Sequence, residues 1–170
     1  VMDETEFWEI VDRARQDADG DPEEHADLVV ERLTQLDPDA VLDFARHFDS
    51  RVNRAYTWEL WGAAALLLGD PGEDAFEDFR CWLVGQGRHV YEGAVHHPDD
   101  LASLVDFETG TDGDGEELGY AADEAYEQLT GVRLPDLGMR PPSEPAGEPL
   151  DLTDADAVRE RYPTLWERYG

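Results

Sequence analysis

The segment "DFRCWLVGQGR", Asp78 to Arg88, sets Arg80, Cys81 and Gln86 among Phe79, Trp82, Leu83 and Val84. An arginine guanidinium can grip a carboxylate or phosphate with two parallel bonds, and a tryptophan gives a flat apolar wall. At helical spacing Arg80 shares a face with Val84, and with Arg88 if the helix continues past Gly85 and Gly87. Trp82 and Gln86 share a neighbouring face with Asp78. With Trp58, Glu59 and Trp61 from the preceding apolar stretch, one reading is a ligand pocket made of Trp58, Glu59, Trp61, Arg80, Trp82, Gln86 and Arg88. The other is a structural network, with Arg80 paired to Glu59 or Asp78 and Gln86 closing helix-end carbonyls, because buried polar groups have to be satisfied.

Two further stretches carry metal-type ligands. In "HVYEGAVHHPDD", His89, Glu92 and His96 fall at i, i+3 and i+7 on one helical face, a ligand chemistry suited to first-row metals. The i, i+4 histidine pair of a zinc helix is missing, and no metal is assigned there. "DGDGEELGYAAD" places Asp112, Asp114 and Glu116 at positions one, three and five of a calcium-type loop, but Glu117 stands where that loop needs glycine and Asp123 where it needs a bidentate glutamate. It reads as a solvated acidic loop. Cys81 is eight residues from His89, roughly 12 Å along one helix, so the pair makes no nucleophile and base. The sequence contains no glycine-rich phosphate motif or dinucleotide fingerprint, and no cofactor is expected.

The elements that must position these residues are helices. "DETEFWEIVDRARQDA" has capping-box spacing at Asp3 and Glu6 and one apolar face of Phe7, Ile10, Val11 and Ala14. Asp21-Pro22 and Asp37-Pro38 start the next two, with stripes Ala26, Val29, Val30, Leu33 and Val41, Phe44, Ala45, Phe48, Val52. Leu60 through Leu68 is apolar or small at every position, which predicts a helix buried on most sides and central to the fold. It stops at Gly69, followed by Asp70-Pro71. The next helix spans roughly Glu73 to Gly85, with Cys81 and Gly85 as a small face for close approach. After "RHVYEGAVHH" and a short turn at Leu101, a helix from about Glu116 to Thr130 is expected, with Leu118, Ala121, Ala122, Ala125 and Leu129 inside.

Residues 132–150 hold Pro135, Pro141, Pro142, Pro145 and Pro149 and read as a strap or linker. Residues 151–170 open with a cap at Thr153 and carry Tyr162, Leu165, Trp166 and Tyr169, an aromatic cluster that needs cover from the body or a partner. The expected fold is all-α: one compact domain of about seven or eight helices, with a helical core over 3–131, a Pro-rich strap over 132–150 and a C-terminal aromatic helical segment over 151–170 packing on the core.

The segments "FWEIVDRAR", "AYTWELWGAAALLLG", "FRCWLVGQGRHVYEGAV", "AADEAYEQLTG" and "RYPTLWERYG", in that order along nearly the whole chain, resemble the domain of unknown function 4240 family. The resemblance implies a bacterial, mostly helical domain without an assigned activity. Its strongest motifs fall on Phe7, Trp8, Trp58, Leu60, Trp61, Gly62, Phe79, Trp82, Leu83, Gln86, Gly87 and Arg88. The chain departs from the family pattern at Ala65, in the loop "DPGED", and in its histidines at 89, 96 and 97.

Charge narrows the partners. The 170 residues include 42 acidic and 13 basic ones, all of the latter arginine, for a net charge of −29. Such a surface repels nucleic-acid phosphates and anionic membranes, and the scattered arginines form no basic stripe, so neither nucleic acid nor membrane is an expected partner. A basic protein is. The absence of lysine, with one asparagine and one isoleucine, reads as drift in a GC-rich genome, and part of the acidity as solubility or salt adaptation. Cys81 is the only cysteine, Asp3, Glu4 and Glu6 stand where a signal peptide would be positive, and the Leu60–Gly69 apolar run is too short to span a bilayer. A cytoplasmic protein is expected. The sequence favours a non-enzymatic protein-interaction or regulatory module, of the kind that acts as an immunity-type inhibitor of a basic partner. The alternative is a small-ligand-binding protein or enzyme using the Trp/Arg/Gln residues above.

Overall fold

Aspartates open the first three helices of the computed structural model, which describes residues 1–69 and 71–170. The Asp3 carboxylate accepts from the Glu6 N–H at 2.8 Å and starts α1 (Glu4–Ala18). Asp21 accepts from Glu23 N–H at 3.0 Å before α2 (Pro22–Thr34), and Asp37 from Ala40 N–H at 2.8 Å before α3 (Pro38–Arg54). Each side chain satisfies an amide that the first turn leaves without a partner, and the prolines at the first helical position lose no bond there. Thr57 does the same through Leu60 N–H for α4 (Trp58–Leu68).

The chain continues through α5 (Glu73–Gly85), α6 (Arg88–His96), a 3-10 turn (Pro98–Asp100), α7 (Leu101–Leu104), α8 (Glu116–Gly119), α9 (Ala121–Thr130), α10 (Ala155–Arg161) and α11 (Pro163–Tyr169). The described residues thus form a single all-α domain with eleven α-helices and no strand, apart from one isolated bridge between Thr57 and Ala146. The count exceeds seven or eight because two expected helices are divided and the short turn at Leu101 forms a helix of its own, α7. Tyr120 leaves helical geometry at φ −99°, ψ 1° and separates α8 from α9, and Leu129, expected inside, is exposed. Pro163 cannot continue α10 and instead occupies the first turn of α11. The N-cap of α10 is Asp154, which accepts from Ala157 N–H, while Thr153 bonds to Asp151. Among the described residues no helix is long and apolar enough to cross a membrane; Asp70 lies outside them.

The helix at the centre is α5, not α4. Every residue from Phe79 to Gly85 is buried, and α5 touches α1, α3, α4, α6 and α8. Its acidic residues, Glu73, Asp74, Glu77 and Asp78, are confined to the first two turns, which frees the last two turns to be enclosed on all sides. In α4, Leu60, Gly62, Ala63, Ala64 and Leu67 are buried, but Trp61, Ala65, Leu66 and Leu68 keep partial exposure. Its small-residue face takes the C-terminal segment: at Gly62 a Cβ would overlap the Tyr162 hydroxyl, which donates to Glu59 O. Tyr162 and Leu165 are fully buried there, each contributing about 1.5–3 kcal/mol of apolar burial. The buried Asp99 carboxylate caps α11 from outside, accepting from Thr164 N–H at 3.2 Å and Leu165 N–H at 2.9 Å. The strap crosses the start of α4, where Trp58 N–H donates to Ala146 O at 3.0 Å and Ala146 N–H to Tyr56 O at 2.9 Å.

Candidate functional site

The last turns of α5 divide the expected pocket residues into two groups, of which only Trp82 and Gln86 reach the cleft described below. In the other group Arg80 is buried, 4% exposed, and no carboxylate of the described residues pairs with it. Its Nη1 donates to Val52 O at 2.9 Å, and its guanidinium lies 4.4 Å from the Tyr56 ring centre and 4.9 Å from that of Phe76. Val52 is in the last turn of α3, where Ala55 N–H goes to Arg51 O and Tyr56 N–H to Asn53 O. The Val52 carbonyl would otherwise lack a donor. Arg80 is therefore part of a structural network, but its partners are a backbone carbonyl and two aromatic faces in place of the expected Glu59 or Asp78. Burial lowers its pKa from the ordinary arginine range, with Glu77 opposing.

Trp61 stacks on Phe76 at 4.7 Å and on Trp58 at 5.6 Å and donates through Nε1 to Pro71 O at 3.3 Å, so the two tryptophans extend this aromatic stack. Glu59 faces Arg161 at 3.6 Å. Arg88 is exposed and approaches Glu4 at 3.6 Å, beside Arg51 at 3.2 Å from the same oxygen. None of Trp58, Glu59, Trp61, Arg80 or Arg88 lines the cleft described next.

A cleft of about 860 Å³ opens between the α1–α2 corner, the C-terminal end of α5, the end of α7 and the acidic loop before α8. Trp82 and Gln86 line it, together with Arg15 and His25. Seven carboxylate residues surround them: Asp21, Glu23, Asp106, Asp112, Asp114, Glu116 and Glu117. The acidic loop is fastened to α5 at Gly115, whose N–H donates to Asp78 O at 2.9 Å. Only glycine allows this, since a Cβ there would overlap Trp82 N and lie 2.5 Å from Cys81 C. Next to it Leu118 packs over Gly85, so the small face of α5 receives α8.

That attachment brings the carboxylates of Asp78, Asp114 and Glu116 within 4.8 Å of one another. Burial pushes the Asp78 carboxyl above its usual range, and the charges of Asp114 and Glu116 push it further. No arginine of the described residues pairs with these three. Three converging oxygen donors suit a hard cation or the ammonium or guanidinium of a partner. Among the described residues no comparable cluster gathers at His89, Glu92 and His96. Glu92 is held there by Arg54 through two bonds, 3.0 and 3.2 Å, and His96 Nδ1 bonds the Glu92 carbonyl.

Arg15 and His25 carry no motif, and the sequence reading passed over them. Their signal is positional: Arg15 stands four residues after Val11 and His25 four before Val29, each extending an apolar stripe. His25 is 8% exposed, with Nε2 donating to Val11 O at 3.0 Å; burial lowers its pKa and keeps the ring neutral. Arg15 Nη2 donates to Gln86 Oε1 at 3.3 Å, and Gln86 Nε2 reaches Trp82 O at 3.5 Å. Cys81 is buried beside this wall, and desolvation followed by Glu77 pushes its thiol up to about 12, so it is not an available nucleophile at neutral pH.

Residues 2–128 match the family described as "Protein of unknown function (DUF4240)", and the chain belongs to that family. No curated protein and no solved structure matches the chain.

Proposed function

We propose that this member of a family without an assigned activity is a non-enzymatic binding module whose acidic cleft receives a basic segment of another protein. The observation that carries the reading is the lining of the cleft: seven carboxylate residues and one arginine, in a chain of net charge −29. Clefts lined by one sign of charge focus the field, speed encounter with an opposite charge and repel the wrong partner. The Asp78–Asp114–Glu116 trio offers acceptors without an internal cation, which suits a guanidinium or ammonium brought by the partner. The buried, undissociated Cys81 and the separation of Trp58, Trp61 and Arg80 from Gln86 favour binding over catalysis. In this reading the module works in a bacterial cytoplasm, where a lone cysteine stays reduced.

Titration calorimetry with a short arginine- and lysine-rich peptide, run from 50 to 500 mM salt, tests the proposal. Affinity should fall steeply with salt, and a triple Asp114→Asn, Glu116→Gln, Glu117→Gln variant should bind at least about tenfold more weakly, the effect of losing charge-assisted bonds. Equal binding by the variant and the parent protein would remove the cleft as the docking place.

A further inference from the structure

The cleft is not uniformly acidic, and its exception is built in. Arg15 is half-buried in α1, and no carboxylate of the described residues lies within pairing distance of it. In a chain with 42 acidic and 13 basic residues, this half-buried arginine bonds a neutral side chain, with Asp12, one turn back, attracting it only at longer range. That partner is the Gln86 side-chain oxygen, which takes one Nη2 proton and leaves the other donors of the fork free.

Beside it stands His25, more than nine-tenths buried. Its Nε2 gives its hydrogen to Val11 O, so in the neutral ring Nδ1 carries a bare lone pair. No side chain or backbone donor of the described residues meets that nitrogen. The Cε1–Nδ1 edge faces Gly85 beside the Leu118 side chain, and His25, Gly85 and Leu118 all line the cleft.

A cationic donor fork and an unpartnered acceptor therefore sit together inside a ring of carboxylates. A chain terminus has the matching chemistry: a carboxylate, with an amide N–H one residue's reach away. We infer that the cleft recognises the free C-terminal carboxylate of a basic segment, with Arg15 gripping the carboxylate, His25 Nδ1 accepting the N–H of the terminal residue, and the acidic rim holding lysine or arginine side chains just upstream. The inference rests on the binding-module reading and adds an end-specific register to it. Gln86 is a positioning residue, since it aims the Arg15 fork.

The test uses two acetylated heptapeptides of one lysine- and arginine-rich sequence, one ending in a free carboxylate and one in an amide, titrated against the full chain at 100 mM salt. The free acid should bind roughly tenfold to hundredfold tighter, the range of a charge-assisted pair in a desolvated site. Arg15→Gln should erase that preference, so that the free-acid and amidated peptides bind the variant with equal affinity, and unchanged melting of the variant checks its fold. If both peptides bind equally to the parent protein, the C-terminal register is wrong while the basic-segment reading survives. If neither binds saturably, both fall.

Discussion

Replacing Arg80 separates a structural arginine from a ligand-gripping one. Arg80→Ala removes the 2.9 Å bond to Val52 O, a charged hydrogen bond of about 1.5–3 kcal/mol, and leaves that carbonyl buried without a donor. It also removes two aromatic contacts, at 4.4 and 4.9 Å, of roughly 0.5–2 kcal/mol each, and the apolar stem that fills the space between α3 and α5. Against these stands the desolvation of an unpaired guanidinium, which lowers its pKa and returns part of the loss when the charge is deleted. Nε adds to that cost, since it is buried with no partner among the described residues. The balance is a loss of about 3 kcal/mol for Arg80→Ala, and about half that for Arg80→Met, which keeps the stem volume. In urea unfolding, the alanine midpoint should fall by about 1–2 M at unchanged slope. An alanine variant whose midpoint stays within about 0.3 M, but which no longer binds the basic peptide, would refute the reasoning and return Arg80 to a ligand site.

Three more outcomes follow from the same geometry. Asp49 is half-buried, and desolvation, then Asp123 and Glu77, raise its pKa to about 6, so the native state holds a proton that the unfolded chain releases and stability falls as pH rises from about 4 to 6. Asp49→Asn should then gain about 1–2 kcal/mol at pH 7, after discounting for solvent screening, and nothing at pH 4, measured by denaturation at both values. Gly115→Ala forces the acidic loop away from the α5 backbone and breaks the Asp78 O bond, so it should cost about 2–4 kcal/mol and weaken basic-peptide binding together; a neutral result would mean that the loop tolerates displacement. Asp99→Ala orphans the Thr164 and Leu165 amides, and native-state hydrogen exchange should quicken over residues 163–169 before the core opens, with a loss of about 1–3 kcal/mol; uniform exchange across the chain would count against a local role for Asp99.

What the sequence made legible was local. The caps at Asp3, Asp21 and Asp37 act within three residues, so spacing alone reveals them. The α1, α2 and α3 stripes are likewise set by helical period, and all of them are buried. Contacts between distant segments were hidden. The partner of Arg80 is a carbonyl 28 residues away, and backbone acceptors carry no residue signature that could outbid nearby carboxylates in a reading by charge. The leading role of α5 over the more apolar α4 depends on what covers each helix, and α4 is covered by a C-terminal segment about 100 residues downstream. The cleft needs four separate segments to exist, so Trp82 and Gln86 could be named without the Arg15 and His25 that complete it. Of the acidic loop, composition suggested only solvation. Its attachment to α5 through Gly115 turns three dispersed acids into one cluster.

The central claim concerns a place, so the most direct measurement is a hydrogen-exchange footprint of the full chain with and without the arginine- and lysine-rich peptide. Slowed exchange confined to the α1–α2 corner at residues 20–25, the α5 end at 82–86 and the acidic loop at 111–118 is the predicted result. Saturable binding with protection elsewhere, or evenly across the acidic surface, would contradict it.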